Sequence, residues 1–111
     1  NKIYLENYLY MDTLDLLGSK QRLNVLRLLA KRDMYVSELM EQVGMDGKTA
    51  SHHLEVLSEE GLVDSYTQGR RRYYSLVGEV VVEISPSPNR RVRIQVHETN
   101  EGPGEGGQMG E

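Results

Sequence analysis

The chain has 111 residues, enough for one modest core and too few for two. Its 38% hydrophobic and 27% charged residues include no apolar run near the ~20 needed for a transmembrane helix, and the absence of Cys excludes disulfides, thiolate metal sites and Cys nucleophiles. The formal net charge of −4 is uneven: residues 98–111 hold four Glu and no base, which leaves thirteen acids against thirteen bases in residues 1–97.

Residues 3–17 come first. Ten of these fifteen are Leu, Ile, Met or Tyr, and neither Gly nor Pro interrupts them before Gly18. The pattern predicts a helix with an apolar surface too wide for one packing partner, so a second subunit is expected to cover the excess. Ser19 has the chemistry of an N-cap. Leu23, Val25, Leu26, Leu28 and Leu29 then follow at near-helical spacing up to Lys31 and Arg32. Tyr35 and Val36 read as an extended link. Ser37 reads as the cap of a short helix with Glu38 in its first turn, Leu39, Met40 and Val43 inward, and Gly44 at its end. Asp46 reads as the cap of a longer helix over 47–60, which buries Ala50, Leu54 and Leu57 and stops at Gly61.

Beyond Gly61 the apolar period changes from 3.6 to 2. Residues 62–67 and 72–76 read as strands around a turn at Gln68, Gly69 and Arg70. Residues 79–84 and 91–97 read as a second hairpin across Ser85, Pro86, Ser87, Pro88 and Asn89. Within it Val92, Ile94 and Val96 alternate with Arg91, Arg93, Gln95 and His97. This hairpin is expected either to pair with its counterpart across a two-fold axis or to extend the first hairpin's sheet. Arg90, Arg91 and Arg93 are expected either to reach phosphates or to form a solvated face. Residues 101–111 hold six Gly or Pro in eleven, a composition that predicts a flexible tail over 98–111.

The expected fold class is α+β, mainly α. A short helix, a Gly-containing turn and a longer helix have helix-turn-helix dimensions, and a hairpin with a basic tip follows directly. A helix fits the major groove of B-form DNA and offers its N-terminal residues to base edges, while a basic hairpin can neutralise phosphates.

Three motifs carry a family resemblance. The stretch Thr49, Ala50, Ser51, His52, His53, Leu54, then Leu57, Gly61, Leu62 and Val63, resembles the recognition-helix signature of ArsR-type winged-helix regulators. Gly69, Arg70, Arg71, Arg72, Tyr73, Tyr74, Ser75 and Leu76 resemble that family's wing. Leu17 to Leu29, with Arg22 and Leu23, is similar to its preceding helix. The resemblance covers about residues 14–77. It implies a winged helix-turn-helix in residues 1–97, a homodimer, and a sequence-specific transcriptional regulator, a repressor, bound to an inverted repeat in double-stranded DNA.

Carried over by position, the resemblance implies that Lys48, Thr49, Ser51 and His52 face the groove and that Arg70, Arg71 and Arg72 are wing contacts. Four such bases in each half of a dimer give a salt slope of about −7 in log affinity against log salt. His52 and His53 lie ~100° apart on the helix and cannot share a face. His52 falls near Lys48, Ser51 and Glu55, and His53 beside Ala50, Leu54 and Leu57, where a packed structural imidazole is expected. Tyr73 and Tyr74 alternate along a strand, so one should be core and one surface. Family members that sense metals use Cys-x-Cys before the short helix. Here Tyr35 and Ser37 stand in those places and are not soft-metal ligands. No metal, cofactor or membrane partner is expected. No nucleophile or acid–base constellation suggests an enzyme. The first residues lack a basic-then-apolar signal pattern, so no leader and a cytoplasmic location are the expectation. The second reading is a protein-interaction winged helix, to which Asp46, Glu55, Glu59 and Glu60 lend weight.

Overall fold

A computed structural model describes residues 14–98. Residues 14–17 are helical. The rest of the expected helix over 3–17 lies outside the described residues, as does the expected tail over 98–111 except for Glu98, which is the last residue of a strand instead. The elements that follow are α1 (Lys20–Leu29), β1 (Met34–Tyr35), α2 (Val36–Val43), α3 (Gly47–Glu59), β2 (Val63–Gln68), β3 (Arg71–Leu76), β4 (Gly78–Ser85) and β5 (Arg91–Glu98).

Local chemistry sets most of these boundaries. Ser19 Oγ accepts the Arg22 N–H at 3.2 Å and starts α1. Asp46 Oδ1 accepts the Thr49 N–H at 2.8 Å and starts α3. Gly44 ends α2 in the left-handed region, at φ 84°, with its N–H bonded to the Met40 carbonyl at 2.9 Å. The start of α2 differs from the expectation. Its N-cap is Tyr35, two residues before Ser37, and Glu38 Oε1 accepts the Tyr35 N–H at 3.1 Å. Ser37 is therefore inside the first turn and exposed. The reason is tertiary: Met34 and Tyr35 are drawn into a sheet opposite Tyr74 and Tyr73, which fixes where extended backbone gives way to helix.

That sheet is antiparallel, in the order β1-β3-β2. Gln68 pairs with Arg71, so Gly69 and Arg70 form a two-residue turn, with Gly69 at φ 65°. Gly at the first central position is the pattern of a type II′ hairpin turn, which matches the strands' right-handed twist. Three helices and this sheet close over one core. Val25 and Leu29 come from α1, Leu39 from α2, Ala50, Leu54 and Leu57 from α3, and Leu62 and Val63 from the entry to β2. The element order and topology are those of a winged helix-turn-helix with an added hairpin.

The added hairpin, β4 and β5, forms a separate two-stranded sheet and does not extend the wing's sheet. Its root is fixed by close packing. The Leu62 carbonyl accepts both the Val77 and the Gly78 N–H, at 2.9 and 3.2 Å. A Cβ on Gly78 would lie 2.7 Å from the Gly61 carbonyl oxygen, so only glycine fits there. The register pairs Val80 with Val96, Val82 with Ile94 and Ile84 with Val92, which puts six β-branched side chains on one face. Val80 and Val96 reach the core, whereas Val92, expected to be half-buried, is exposed near the far end. On the other face Glu83 lies 3.3 Å from Arg93 Nε and 3.8 Å from an Arg91 nitrogen. Both arginines thus have an intramolecular counter-ion. Among the described residues, no helix is long and apolar enough to cross a membrane.

Candidate nucleic-acid interface

Helix α3 divides into two sides. Ala50, His53, Leu54 and Leu57 are buried, while Lys48, Ser51, His52 and Glu55 are exposed. Three of the expected groove residues, Lys48, Ser51 and His52, therefore share an open face. Thr49 is half-buried and gives its N–H to Asp46. The backbone N–H of Thr49, followed by its hydroxyl, holds the Asp46 carboxyl below its usual range. Asp46 is thereby committed to capping, which removes one of the four acids that favoured a protein partner.

The orientation of α3 is set from its buried side. The His53 ring accepts a contact from the Arg22 guanidinium on Nδ1 at 3.5 Å and donates from Nε2 to Gln21 Oε1 at 2.9 Å. This pairing selects the neutral imidazole with its proton on Nε2. Arg22 also donates to the Leu16 carbonyl at 2.7 Å and the Asp15 carbonyl at 3.1 Å. One guanidinium thus joins residues 14–17, α1 and α3, and the imidazole that it meets is buried as the helical phase required. Gln21 and Arg22 were not marked by spacing as functional. Only the folded register brings them to His53.

Burial lowers the His53 pKa first, the Arg22 charge second and the neighbouring His52 third. The unfolded imidazole, near 6.5, then binds a proton more readily than the folded one. The stabilising effect of neutral His53 is complete above about pH 6.5 and is lost as the pH falls below it, until the folded imidazole also titrates. Urea midpoints at pH 7.5, 6.5 and 5.5 should therefore fall more steeply for wild type than for His53→Gln. Parallel pH profiles for the two proteins would contradict this role.

The wing presents Gly69, Arg70, Arg71 and Arg72 to solvent at and beside its tip. Arg71 alone of the three arginines also has a ring contact. Its guanidinium carbon sits 4.2 Å from the centre of the Tyr35 ring, a cation–π arrangement. Tyr35 meets Tyr73 edge to face at 5.5 Å, and Tyr73 stacks on Tyr66 at 5.6 Å. The Tyr66 hydroxyl donates to Asp33 Oδ2 at 2.6 Å, and the carboxylate, with burial, pushes the phenol up to about 12. This aromatic row corrects the expectation for Tyr73 and Tyr74. They do point to opposite faces, but both are half-buried, because the outer face carries its own cluster. The cluster joins the base of the wing to the start of α2. A groove of about 310 Å³ lies between them, lined by Tyr35, Val36, Ser37, Met40 and the three arginines. The sequence contains each tyrosine in plain view, but only strand register shows that Tyr66 and Tyr73 are opposite one another.

Among the described residues, no three His, Asp or Glu side chains are placed to hold a metal ion. Tyr35 and Ser37 lie in the aromatic row and in the first turn of α2, respectively.

Comparison with known proteins agrees with this arrangement. Residues 19–65 match the family model described as "Bacterial regulatory protein, arsR family". The chain is 37% identical over 68 residues to the HTH-type transcriptional regulator Rv0324 of Mycobacterium tuberculosis, covering 61% of this chain but only 30% of that one. It is also similar to the homodimeric winged helix-turn-helix DNA-binding domain Mb0332 from Mycobacterium bovis, described as a possible ArsR-family transcriptional regulator. The TM-score is 0.57 and the identity 32%, with 68% of each chain covered. The transcriptional repressor BigR from Xylella fastidiosa superposes with a TM-score of 0.60 at 27% identity, covering 68% of this chain and 74% of that one.

Proposed function

This chain belongs to the ArsR family of bacterial regulatory proteins, and from that premise we propose that it acts as a homodimeric, sequence-specific DNA-binding repressor that reads an inverted repeat and does not sense thiophilic metals. The observation that carries the reading is the two-sided α3. Lys48, Ser51 and His52 stand on the open side while His53, Leu54 and Leu57 hold the other side to the core. A base-reading helix needs an exposed polar face near its N-terminus and a rigid support behind it.

In this mechanism a two-fold axis places two copies of α3 in successive major grooves, about 34 Å apart. Thr49, Ser51 and His52 face base edges, and Lys48 meets phosphate at the start of the helix. Arg70 and Arg72 reach across the adjacent backbone, while Arg71 positions the wing by stacking on Tyr35. The bound dimer obstructs polymerase at a promoter. The DNA-binding unit lies within residues 1–97. The repressor assignment draws support from the likeness to BigR. The absence of cysteine from the chain supports the lack of a thiolate switch.

His52 provides the direct test. His52→Ala is expected to relax discrimination at one base pair per half-site by about 1–3 kcal/mol, with the other positions unchanged. The measurement is competition binding against a panel of single-substitution operators. A uniform loss of affinity across the panel contradicts a reading role for His52.

A further inference from the structure

One face of the β4–β5 hairpin is apolar along its length and open at its far end. Ile84 is 76% exposed, Val92 57% and Val82 47%. At its root, Val80 also lines a cleft of about 690 Å³ bordered by Leu23, Leu26, Leu62 and Leu76. Leu23 is itself 46% exposed, so the apolar surface continues from the hairpin onto α1. Such continuous surfaces mark interaction sites. We propose that this face, together with the cleft at its root, is where a second copy of the chain docks.

The inference rests on the homodimeric reading above and names its surface. Three observations select a second copy as the occupant. First, size: two strands of eight residues at ~3.3 Å each offer a face of roughly 250 Å², far below the ~800 Å² per partner of a stable interface. The cleft and the exposed side of α1 lie where the remainder is needed. Second, charge: Glu83 forms ion pairs with Arg91 and Arg93 on the opposite face. Docking over Val82, Ile84, Val92 and Ile94 therefore leaves those three charges in solvent. Third, self-complementarity: the cleft carries one base and one acid, Arg27 on α1 and Glu79 on β4. In a two-fold contact, where residue i meets j and j meets i, those two can pair across the axis twice. A small apolar ligand is less well matched, because its site would be enclosed, and this cleft opens onto a flat sheet face.

The test is the mass of the full chain by sedimentation velocity over a concentration series. Wild type should be a dimer. Ile84→Lys with Val92→Lys should weaken dimerisation by on the order of 100-fold, giving a folded monomer by circular dichroism. Val92→Lys alone serves if the double variant does not fold. Gln95→Lys adds the same charge to the polar face and should leave the dimer intact. A dimeric wild type with an equally dimeric lysine variant overturns this surface and leaves the homodimer standing, with residues 1–13 of the same chain as the next candidate cover. Equal weakening by Gln95→Lys also overturns it. A monomeric wild type overturns the homodimeric reading itself.

Discussion

Replacing Arg70 and Arg72 together by alanine is expected to lower affinity for duplex DNA by on the order of 10³-fold at 0.15 M salt and to flatten the salt slope by about 3.6. Both side chains are exposed at the wing tip, and neither has an ion pair among the described residues. Each released counterion contributes about 0.9 to the slope, and two arginines in two subunits release four. Arg71 is omitted because its guanidinium lies on the Tyr35 ring. The wild-type slope should therefore be nearer −5, from Lys48, Arg70 and Arg72 in each subunit, than the −7 that four equivalent bases would give. Fluorescence anisotropy of a labelled duplex over a salt series measures both quantities. An unchanged slope in the double variant would show that the wing does not touch phosphate.

Leu54→Ala is expected to cost about 2–5 kcal/mol of stability, a large share of the 5–15 kcal/mol typical of a domain. Leu54 is 2% exposed, in the core cluster behind the recognition helix. Truncation removes apolar contact and leaves a cavity that the neighbouring Leu57, Leu39 and Val25 can only partly fill. The effect should extend to DNA binding, because the face that carries Ser51 and His52 is held in place from this side. Urea denaturation measures the loss. A cost below about 1 kcal/mol would mean that α3 is not seated on this core as described.

Much of this architecture is legible in the residues themselves, wherever short-range chemistry decides. Ser19 and Asp46 cap their helices as read, Gly44 and Gly69 take the positive φ that their turns need, and the switch from period 3.6 to period 2 after Gly61 marks where helices give way to strands. The burial of His53 follows from helical phase alone. What the pattern does not reveal depends on residues far apart in sequence. Ser37 has a better capping side chain than Tyr35, yet pairing of Met34 and Tyr35 with β3 places the helix start earlier. Arg71 looks equivalent to its neighbours until strand register places it over Tyr35, and alternation of Tyr73 and Tyr74 leaves one of them for the surface until Tyr66 and Tyr35 are found against Tyr73. Arg91 and Arg93 look like a second basic patch until Glu83 is found opposite them. In each case sequence states the residue's chemistry, and only the sheet supplies its partner.

The central claim is that two copies of α3 read one inverted repeat while the wings hold phosphate. Its most direct measurement is the binding of the unmodified chain to a random-sequence duplex pool over a salt series, with sequencing of the bound fraction. The expected result is an enriched inverted repeat, with half-site centres about one helical turn apart and a salt slope near −5. Absence of binding at low salt, or binding without any enriched sequence, would contradict it.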